Sequence, residues 1–490
     1  MTIDRIIQLI KKNNPKADLD LVRLAYDMAE EAHRGQKRSS GEEYLQHPLE
    51  TTYKLAEYNL DLATIIAGLL HDVPEETDRT LDQIEKDFGE EVAHLIEGVT
   101  KLGKIKYRGL ERYAENLRKM FVAIAEDVRV VFIKFADRIH NLKTLYALPP
   151  VKQQRIARES LEIYAPIANR LGMEEIKGEL EDLSFPYVYP EEYKWVLQIS
   201  KKRYEEQKKF TDQVIKIIKK ELVENSDVSL VLIEGRAKRY YSLYQKLLRK
   251  EMDIDKIYDL VALRIIVSGV DDCYQVLGHI HKLWAPVKGR IKDYIAQPKP
   301  NGYQSLHTTV FGPEGRITEF QIRTEKMHQE SELGIAAHWG YKEFGSEYAK
   351  LTKERLKWMQ ELLEEQNRNV TPKRYLNSLK LDFFKNRIFV FTPKGDVIDL
   401  PEGATPIDFA YHIHSDVGNK CAGARINDKI ATLGHALKSG DVVEIIIDKN
   451  RHGPAEGWLN IAQTHLAKNK IKAFFNKESR LNIFRFFNKN

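Results

Sequence analysis

Two imidazoles and two carboxylates, His47, the adjacent pair His71 and Asp72, and Asp137, stand in or beside apolar stretches: EYLQHPLE, AGLLHDVPEE and VFIKFADRIHNLKT. Such a set suits a divalent transition metal such as Mn²⁺. A charged Asp137 within VVFIKFAD is also costly to bury unless it pairs or coordinates. Asp137, Asn141 and Thr144 recur at i, i+4 and i+7, so one helix would present them on one face. Asp72, Glu75 and Glu76 would likewise gather carboxylates beside the metal, able to handle a proton or orient water. Taken singly, each of these residues also reads as a cap or a surface group.

A second set lies further along. GRAKRYYSLYQK opens with Arg236, and Lys238, Ser242 and Lys246 follow at i, i+4 and i+8, a row on one helix face suited to phosphates. GRIKDYIAQPKPNGYQSLHTTV then holds Arg290, Lys292, Lys299, Asn301, Tyr303 and His307, and TEFQIRT places Glu319, Gln321 and Arg323 on one face of a strand. Glu319 and Asp259 are carboxylates available for the Mg²⁺ that triphosphate chemistry requires. Basic residues also make ordinary solvated faces. No G-x-x-x-x-G-K-[ST] occurs, which speaks against a P-loop enzyme.

These residues must be carried by at least two kinds of architecture. Residues 1–185 read as helical, with stripes such as Leu21, Ala25, Met28, Ala29 and Ala32, and similar ones through EEVAHLIEGVTKL and AENLRKMFVAIA. Two more helical stretches, YKWVLQISKKRYEEQKK and TDQVIKIIKKELVE, act as a connector over 186–225. Short β-rich runs between helical segments (SLVLIEG, YDLVALRIIV, LHTTVFG, RITEFQIRT) mark an α+β or α/β unit over about 226–343. A charged helical linker over 344–384 leads to a small β-rich unit at 385–449 and a basic, weakly helical tail at 450–490. The expected class is therefore multidomain, α and α+β.

The 490 residues, 42% hydrophobic and 30% charged, exclude disordered and fibrous classes, and no apolar run approaches the ~20 residues of a membrane span. The N-terminus lacks the apolar core of a secretory signal. Two distant cysteines, Cys273 and Cys421, make no disulfide framework, so a reducing, cytoplasmic setting is expected. A net charge of +5 fits an anionic small ligand or modest RNA contact.

Taken together, the strings RGQKRSSGEEYLQHP, LLHDVPEET, GVTKL, AENLRKM, KFADRIHNLKTL, RIARESLEIYAPIANRLGM, GRAKRYYSLYQK, IYDLVALRIIV, GRIKDYIAQPKPNGYQSLHTTV, EFQIRT, GIAAHWGYKE and TPKGDVIDLPEGATPIDFAYHIHSDVGNKC resemble the long RelA/SpoT homologue family. Its members are bifunctional synthetase/hydrolases of the guanosine alarmones (p)ppGpp. The resemblance implies an all-helical HD hydrolase domain, a synthetase domain with a nucleotidyltransferase-like α/β fold, and a small β-grasp (ubiquitin-like) TGS domain.

By position, it implies that His47, His71, Asp72 and Asp137 hold Mn²⁺. Glu75 and Glu76 would assist water attack, and Arg38, Asn141 and Thr144 would line the hydrolase's nucleotide pocket. In the synthetase it implies that Arg236 and Arg264 flank the ATP adenine, that Tyr303 stacks on guanine, and that Asp259 and Glu319 hold Mg²⁺. Glu319 would also be the base for the ribose 3′-hydroxyl. Lys238, Ser242, Lys246, Lys292, Lys299, Asn301, His307 and Gln321 would complete that pocket.

The sequence departs from the family pattern in places. Glu76 stands where Asp is usual, so hydrolysis should persist at an altered rate. Ser39 replaces a usual Lys, removing one cation, and Arg239 replaces a usual His, keeping charge. The chain ends at Asn490, without the family's zinc-finger-like or RNA-recognition-like module and ACT domain. Arg290-Ile291-Lys292-Asp293 fits the RxKD form of bifunctional members. Two other readings compete with a bifunctional enzyme. A synthetase with a relic HD domain should have lost metal ligands, and none is lost. A non-enzymatic tRNA- or ribosome-binding regulator would not explain two retained catalytic sets. Through His412, His414 and Lys420, and basic residues such as Lys468, Lys470, Lys472 and Lys477, the TGS domain and tail are expected to contact uncharged tRNA and the ribosome weakly.

Overall fold

In the computed structural model, residues 1–103, 121–257, 260–299, 301–338, 387–438, 440–464 and 466–475 are described, and the chain divides into two compact units, Met1–Glu365 and Gln366–Asn490. The charged linker stretch, AENLRKM, Asp259 and Lys477 lie outside the described residues.

The first part of unit one is helical. Its centre is the helix Leu62–Leu70, buried from Thr64 to Leu70, which starts where the Asp61 side chain accepts the Thr64 N–H at 3.1 Å. Helices Gln46–Glu57 and Arg129–Lys143 are also largely buried. Glycine lets these rods approach closely: a Cβ on Gly68 would lie 2.4 Å from Leu55 Cδ1. One on Gly98, in helix Glu90–Gly103, would lie 2.6 Å from Val130 Cγ2. The tight packing brings the start of one helix, the end of a second and the middle of a third to one point.

The second part of unit one is a five-stranded sheet of order β1-β2-β5-β4-β3: β1 Leu230–Ala237, β2 Val261–Val267, β3 Lys292–Asp293, β4 Leu306–Phe311 and β5 Ile317–Thr324. Only β2 and β5 run parallel. One face carries Leu263, Ile265, Val267, Phe320 and Ile322, packed against helices Pro190–Asn225 and Val270–Leu283. Side chains alternate along a strand, so the other face receives Arg264, Glu319, Gln321 and Arg323.

The segment read as a connector belongs to this core. Helix Pro190–Asn225 is one rod of 36 residues, where the sequence was divided into two stretches, because no Gly or Pro interrupts the polar join KRYEEQKKFTDQ. It buries Phe210, Val214, Ile218 and Leu222 against the sheet, each contributing roughly 1.5–3 kcal/mol of gross apolar burial.

In unit two, hairpin β6–β7 (Arg387–Phe391, Val397–Pro401) precedes helices Pro406–Ile413 and Ser415–Asn419. The strands β8 (Cys421–Ile426), β9 (Lys429–Ala431) and β10 (Val443–Ile447) pair in the order β10-β8-β9. A parallel bridge from Phe391 to Val442 joins hairpin and sheet, the small β-grasp expected. The tail is not free of this fold: Trp458, Ala462, Ala467 and Ile471 are buried with Ile407, Ala410, Tyr411 and Cys421. Asp408 ties it down, accepting the backbone N–H groups of Gln463 and Thr464 at 2.9 and 2.7 Å.

Candidate active sites

The first site forms where three helices converge. His47 is the second residue of Gln46–Glu57, His71 ends Leu62–Leu70, Asp72 precedes the one-turn helix Val73–Glu76, and Asp137 lies in Arg129–Lys143. His47, His71 and Asp137 are buried and offer ligand atoms within 4.8 Å of one another. Asp72 completes the group: Oδ2 is 3.4 Å from His47 Nε2, and Oδ1 is 3.2 Å from His71 Nε2.

Proton positions follow from the partners. Arg38 Nη1, always a donor, reaches His140 Nδ1 at 3.0 Å, so that nitrogen carries a lone pair. His47 Nδ1, 2.8 Å from the same atom, must then carry the hydrogen. Nε2 of His47 is left bare, 3.3 Å from Asp137 Oδ1. His71 Nδ1 donates to Gly68 O at 2.9 Å, so its buried Nε2, which finds no hydrogen-bond donor, is bare as well. Two ring lone pairs and two carboxylates thus face one another with no proton between them. That arrangement is repulsive without a cation, and its donor set fits a divalent metal.

Electrostatics agree. Burial pushes His47 below its ordinary range. It also brings His140 down to about 3, with His47 and Arg38 adding to the effect. Burial would raise the Asp137 carboxyl, but Lys134, donating at 2.7 Å, outweighs it and holds it well below the usual range.

Arg38 turns inward, donating from Nη2 to Asn141 Oδ1 at 2.5 Å, while Asn141 Nδ2 donates to Asp137 Oδ1. Thr144 caps the end of the helix instead of continuing its face, because the helix stops at Lys143. Glu75 and Glu76 are exposed on the one-turn helix, with Asp72 just before it as its N-cap. An open cleft of about 540 Å³, lined by Glu75, Thr77, Arg79, Glu97 and Thr100, runs beside them. Ser39 is exposed. His140, Lys134 and Tyr44, which donates to Asp72 Oδ2 at 3.0 Å, were not anticipated. The spacing of His140 three residues after Asp137 was their one available signal.

The second site is the polar face of the five-stranded sheet. Strand register lines up Glu234, Arg264, Gln321, His307 and Lys292 in one row across all five strands. Glu319 accepts from Gln321 Nε2 at 3.2 Å and lies 3.7 Å from His307 Nδ1. Tyr303 OH lies 2.7 Å from His307 Nε2. Burial, with Lys299 and Lys292 adding, pushes His307 down to about 3, so it stays neutral beside Glu319. Asn301 Oδ1 accepts the Tyr303 N–H at 3.2 Å. Lys299 Nζ sits over the Tyr303 ring at 4.5 Å and the Tyr294 ring at 4.7 Å, on the surface expected to take guanine.

Arg236 and Arg264 do meet, on Glu332, a residue the sequence reading passed over. Lys238 precedes helix Tyr240–Leu248 and so does not share its face with Ser242 and Lys246. Arg239 pairs with Glu175 at 2.5 Å and Asp182 at 3.6 Å, on helix Glu174–Val188. Of the proposed Mg²⁺ carboxylates, Glu319 alone is among the described residues. In unit two His412, His414 and Lys420 are exposed, while Lys470 Nζ donates to Tyr411 O at 3.5 Å.

Comparison with known proteins matches all three parts. Residues 25–174 match the HD domain, 235–346 the region found in RelA/SpoT proteins, and 388–447 the TGS domain. A GTP pyrophosphokinase of Myxococcus xanthus is 46% identical over 475 residues, covering 96% of this chain and 62% of that protein. A guanosine-3′,5′-bis(diphosphate) 3′-pyrophosphohydrolase of Aquifex aeolicus (strain VF5) is 48% identical over 462 residues, 94% of this chain and 65% of that one. The bifunctional (p)ppGpp synthase/hydrolase SpoT of Escherichia coli (strain K12) is 46% identical over 466 residues, 95% and 66%. The chain spans just under two thirds of the length of these relatives. With HD, RelA/SpoT and TGS domains in that order, and such identity along nearly its whole length, it belongs to the RelA/SpoT family.

Proposed function

We propose that the chain both makes and degrades (p)ppGpp. One reaction transfers the β,γ-pyrophosphate of ATP to the 3′-hydroxyl of GDP or GTP, releasing AMP. The other hydrolyses that 3′-pyrophosphate to GDP or GTP and pyrophosphate. The observation that carries this reading is the retention, in one chain, of two intact polar constellations. These are the bare ring nitrogens of His47 and His71 with Asp72 and Asp137, and the sheet row that runs from Arg264 through Gln321 to His307.

For hydrolysis, His47, His71, Asp72 and Asp137 would hold Mn²⁺, which when bound supplies a polarised water and neutralises phosphate charge. Glu75 and Glu76, exposed beside the cleft, accept the proton of the attacking water. Arg38, Asn141 and Thr144 line the nucleotide side. Glu76 keeps its carboxylate on a longer arm than Asp, which alters reach without removing the base.

For synthesis, Glu319 accepts the proton of the ribose 3′-hydroxyl. Gln321 orients it, and a neutral His307 leaves its charge unpaired. Asp259 and Glu319 would hold Mg²⁺, which neutralises the transferring phosphates. Arg236 and Arg264 flank adenine, Tyr303 takes guanine once Lys299 swings off its ring, and Lys238, Ser242, Lys246, Lys292, Lys299 and Asn301 bind the remaining polar groups. A cytoplasmic setting, where ATP, GDP and GTP are available, goes with this reading. The TGS domain, through His412, His414 and Lys420, makes weak, salt-sensitive contact with uncharged tRNA on the ribosome.

A paired assay on the purified chain tests the whole reading. Labelled ATP and GDP with Mg²⁺ should yield ppGpp, and ppGpp with Mn²⁺ should yield GDP and pyrophosphate. Failure of either half removes that activity from the assignment.

A further inference from the structure

A single carboxylate oxygen gathers three guanidinium groups. Glu332 Oε1 accepts from Arg236 Nη1 at 3.3 Å, Arg264 Nη2 at 3.1 Å and Arg323 Nη2 at 3.0 Å. The three arginines come from β1, β2 and β5, and Glu332 from the last turn of helix Glu325–Leu333. Arg264 and Arg323 are 5% and 1% exposed, and Glu234 takes Arg264 Nη1 at 3.0 Å. Arg323 also donates to His328 Nδ1 at 2.7 Å; burial, with Arg323 and Arg264, holds this imidazole down at about 4, hence neutral. Arg236, about a third exposed, also reaches Glu175 Oε2 at 4.0 Å, whereas the Nε–H groups of Arg264 and Arg323 are buried without a partner. Buried donors left unspent are costly unless a ligand or the packing answers them.

Geometry points to what Glu332 controls. Arg236 Nη1 and Arg264 Nη2 contact the same oxygen, so they stand no more than about 6.4 Å apart. A flat ring stacked between two guanidinium planes needs roughly 7 Å, two contacts of ~3.5 Å. The shared carboxylate oxygen thus holds the pair closer than the gap that one purine would fill.

The oxygen is itself well anchored. Gly334, immediately beyond the helix, has φ of +58°, and a Cβ there would lie 2.2 Å from Leu171 O. Ile335 N donates to that same carbonyl at 3.0 Å. The end of the helix is thus pinned to the turn at 171–173.

We propose that Glu332 is a positioning residue for the pyrophosphate donor, holding Arg236 and Arg264 side by side so that they need part only slightly to take the purine of ATP between them. This rests on the donor-site assignment above. Glu332 acts through the arginines and touches no reacting atom.

The test is Glu332→Gln in the full chain, with ATP and GDP varied separately. The shape is kept while the charge that holds the guanidinium groups together is lost. The KM for ATP should rise at least tenfold, with the KM for GDP moving less than threefold and ppGpp hydrolysis unchanged. Glu332→Asp, which keeps charge on a shorter arm, should fall between. An unmoved KM for ATP, or equal increases for both nucleotides, overturns the role of Glu332 while wild-type synthesis leaves the donor-site reading standing. If the wild-type chain makes no ppGpp from ATP and GDP, both go together. Should Glu332→Gln also lose hydrolysis, the fold has failed, and the same KM criterion is applied to Glu332→Asp.

Discussion

His47 Nδ1 and His140 Nδ1 stand 2.8 Å apart, and Arg38 fixes which of them holds the proton. His140 thereby sets the ring orientation of His47, proposed above as a metal ligand, without being one of the proposed ligands itself. His140→Phe removes the acceptor and should weaken Mn²⁺ affinity by roughly 10–100-fold. His140→Asn, whose amide oxygen can replace the ring nitrogen, should recover part of it. Hydrolysis followed across a Mn²⁺ titration distinguishes the two; identical titration curves for wild type and His140→Phe would remove His140 from the site.

Asp72→Ala deletes a carboxylate that lies 3.4 and 3.2 Å from the Nε2 atoms of His47 and His71. Breakdown of ppGpp should be abolished, and synthesis should stay within about twofold of wild type, inside ordinary scatter for a remote change. Asp72 belongs to the helical part of unit one and Glu319 to the sheet. Comparable loss of synthesis in a folded protein would contradict two separate sites.

Glu319→Gln is nearly isosteric but cannot accept a proton. Synthesis should drop by about 10²–10⁴-fold with hydrolysis unaffected. Retention of more than about a tenth of wild-type synthesis, the effect of a peripheral contact, rules Glu319 out as the base.

Glu181, on helix Glu174–Val188, is only partly exposed, and burial, with Glu174 and Asp182 adding against Lys177 and Arg239, pushes its carboxyl up to about 7. The unfolded carboxyl titrates near 4.5, so between 4.5 and about 7 the folded chain holds the extra proton and stability falls as pH rises. Glu181→Gln removes this dependence. Its melting temperature should exceed that of wild type by a few degrees at about pH 8 and by much less at about pH 5. A gain independent of pH would show that Glu181 titrates normally.

What could be read from the residues depended on how much a buried charge stands out. His47, His71, Asp72 and Asp137 were legible because charged and imidazole groups inside apolar helices need a reason to be there. The α/β alternation announced the sheet, and the two-residue period placed Glu319 and Gln321 together. Glu332 was not legible, since in EKMHQESEL it is one acid among several, and only tertiary approach brings three arginines to it. His140 was similarly hidden, because a residue that holds a ligand's tautomer carries no pattern of its own. The role of helix Pro190–Asn225 was missed because a long polar rod looks like a spacer until its apolar stripe finds the sheet.

That helix decides how the chain can be divided. A fragment starting at residue 226 would retain every strand of the sheet and every synthetase residue named here. It would nevertheless present Ile233, Leu263 and Ile265 of β1 and β2 to water along the strip that Phe210, Val214, Ile218 and Leu222 cover. Such a fragment should express as aggregate, whereas one starting at Pro190 keeps its lid of aliphatic side chains and has a surface fit for solution.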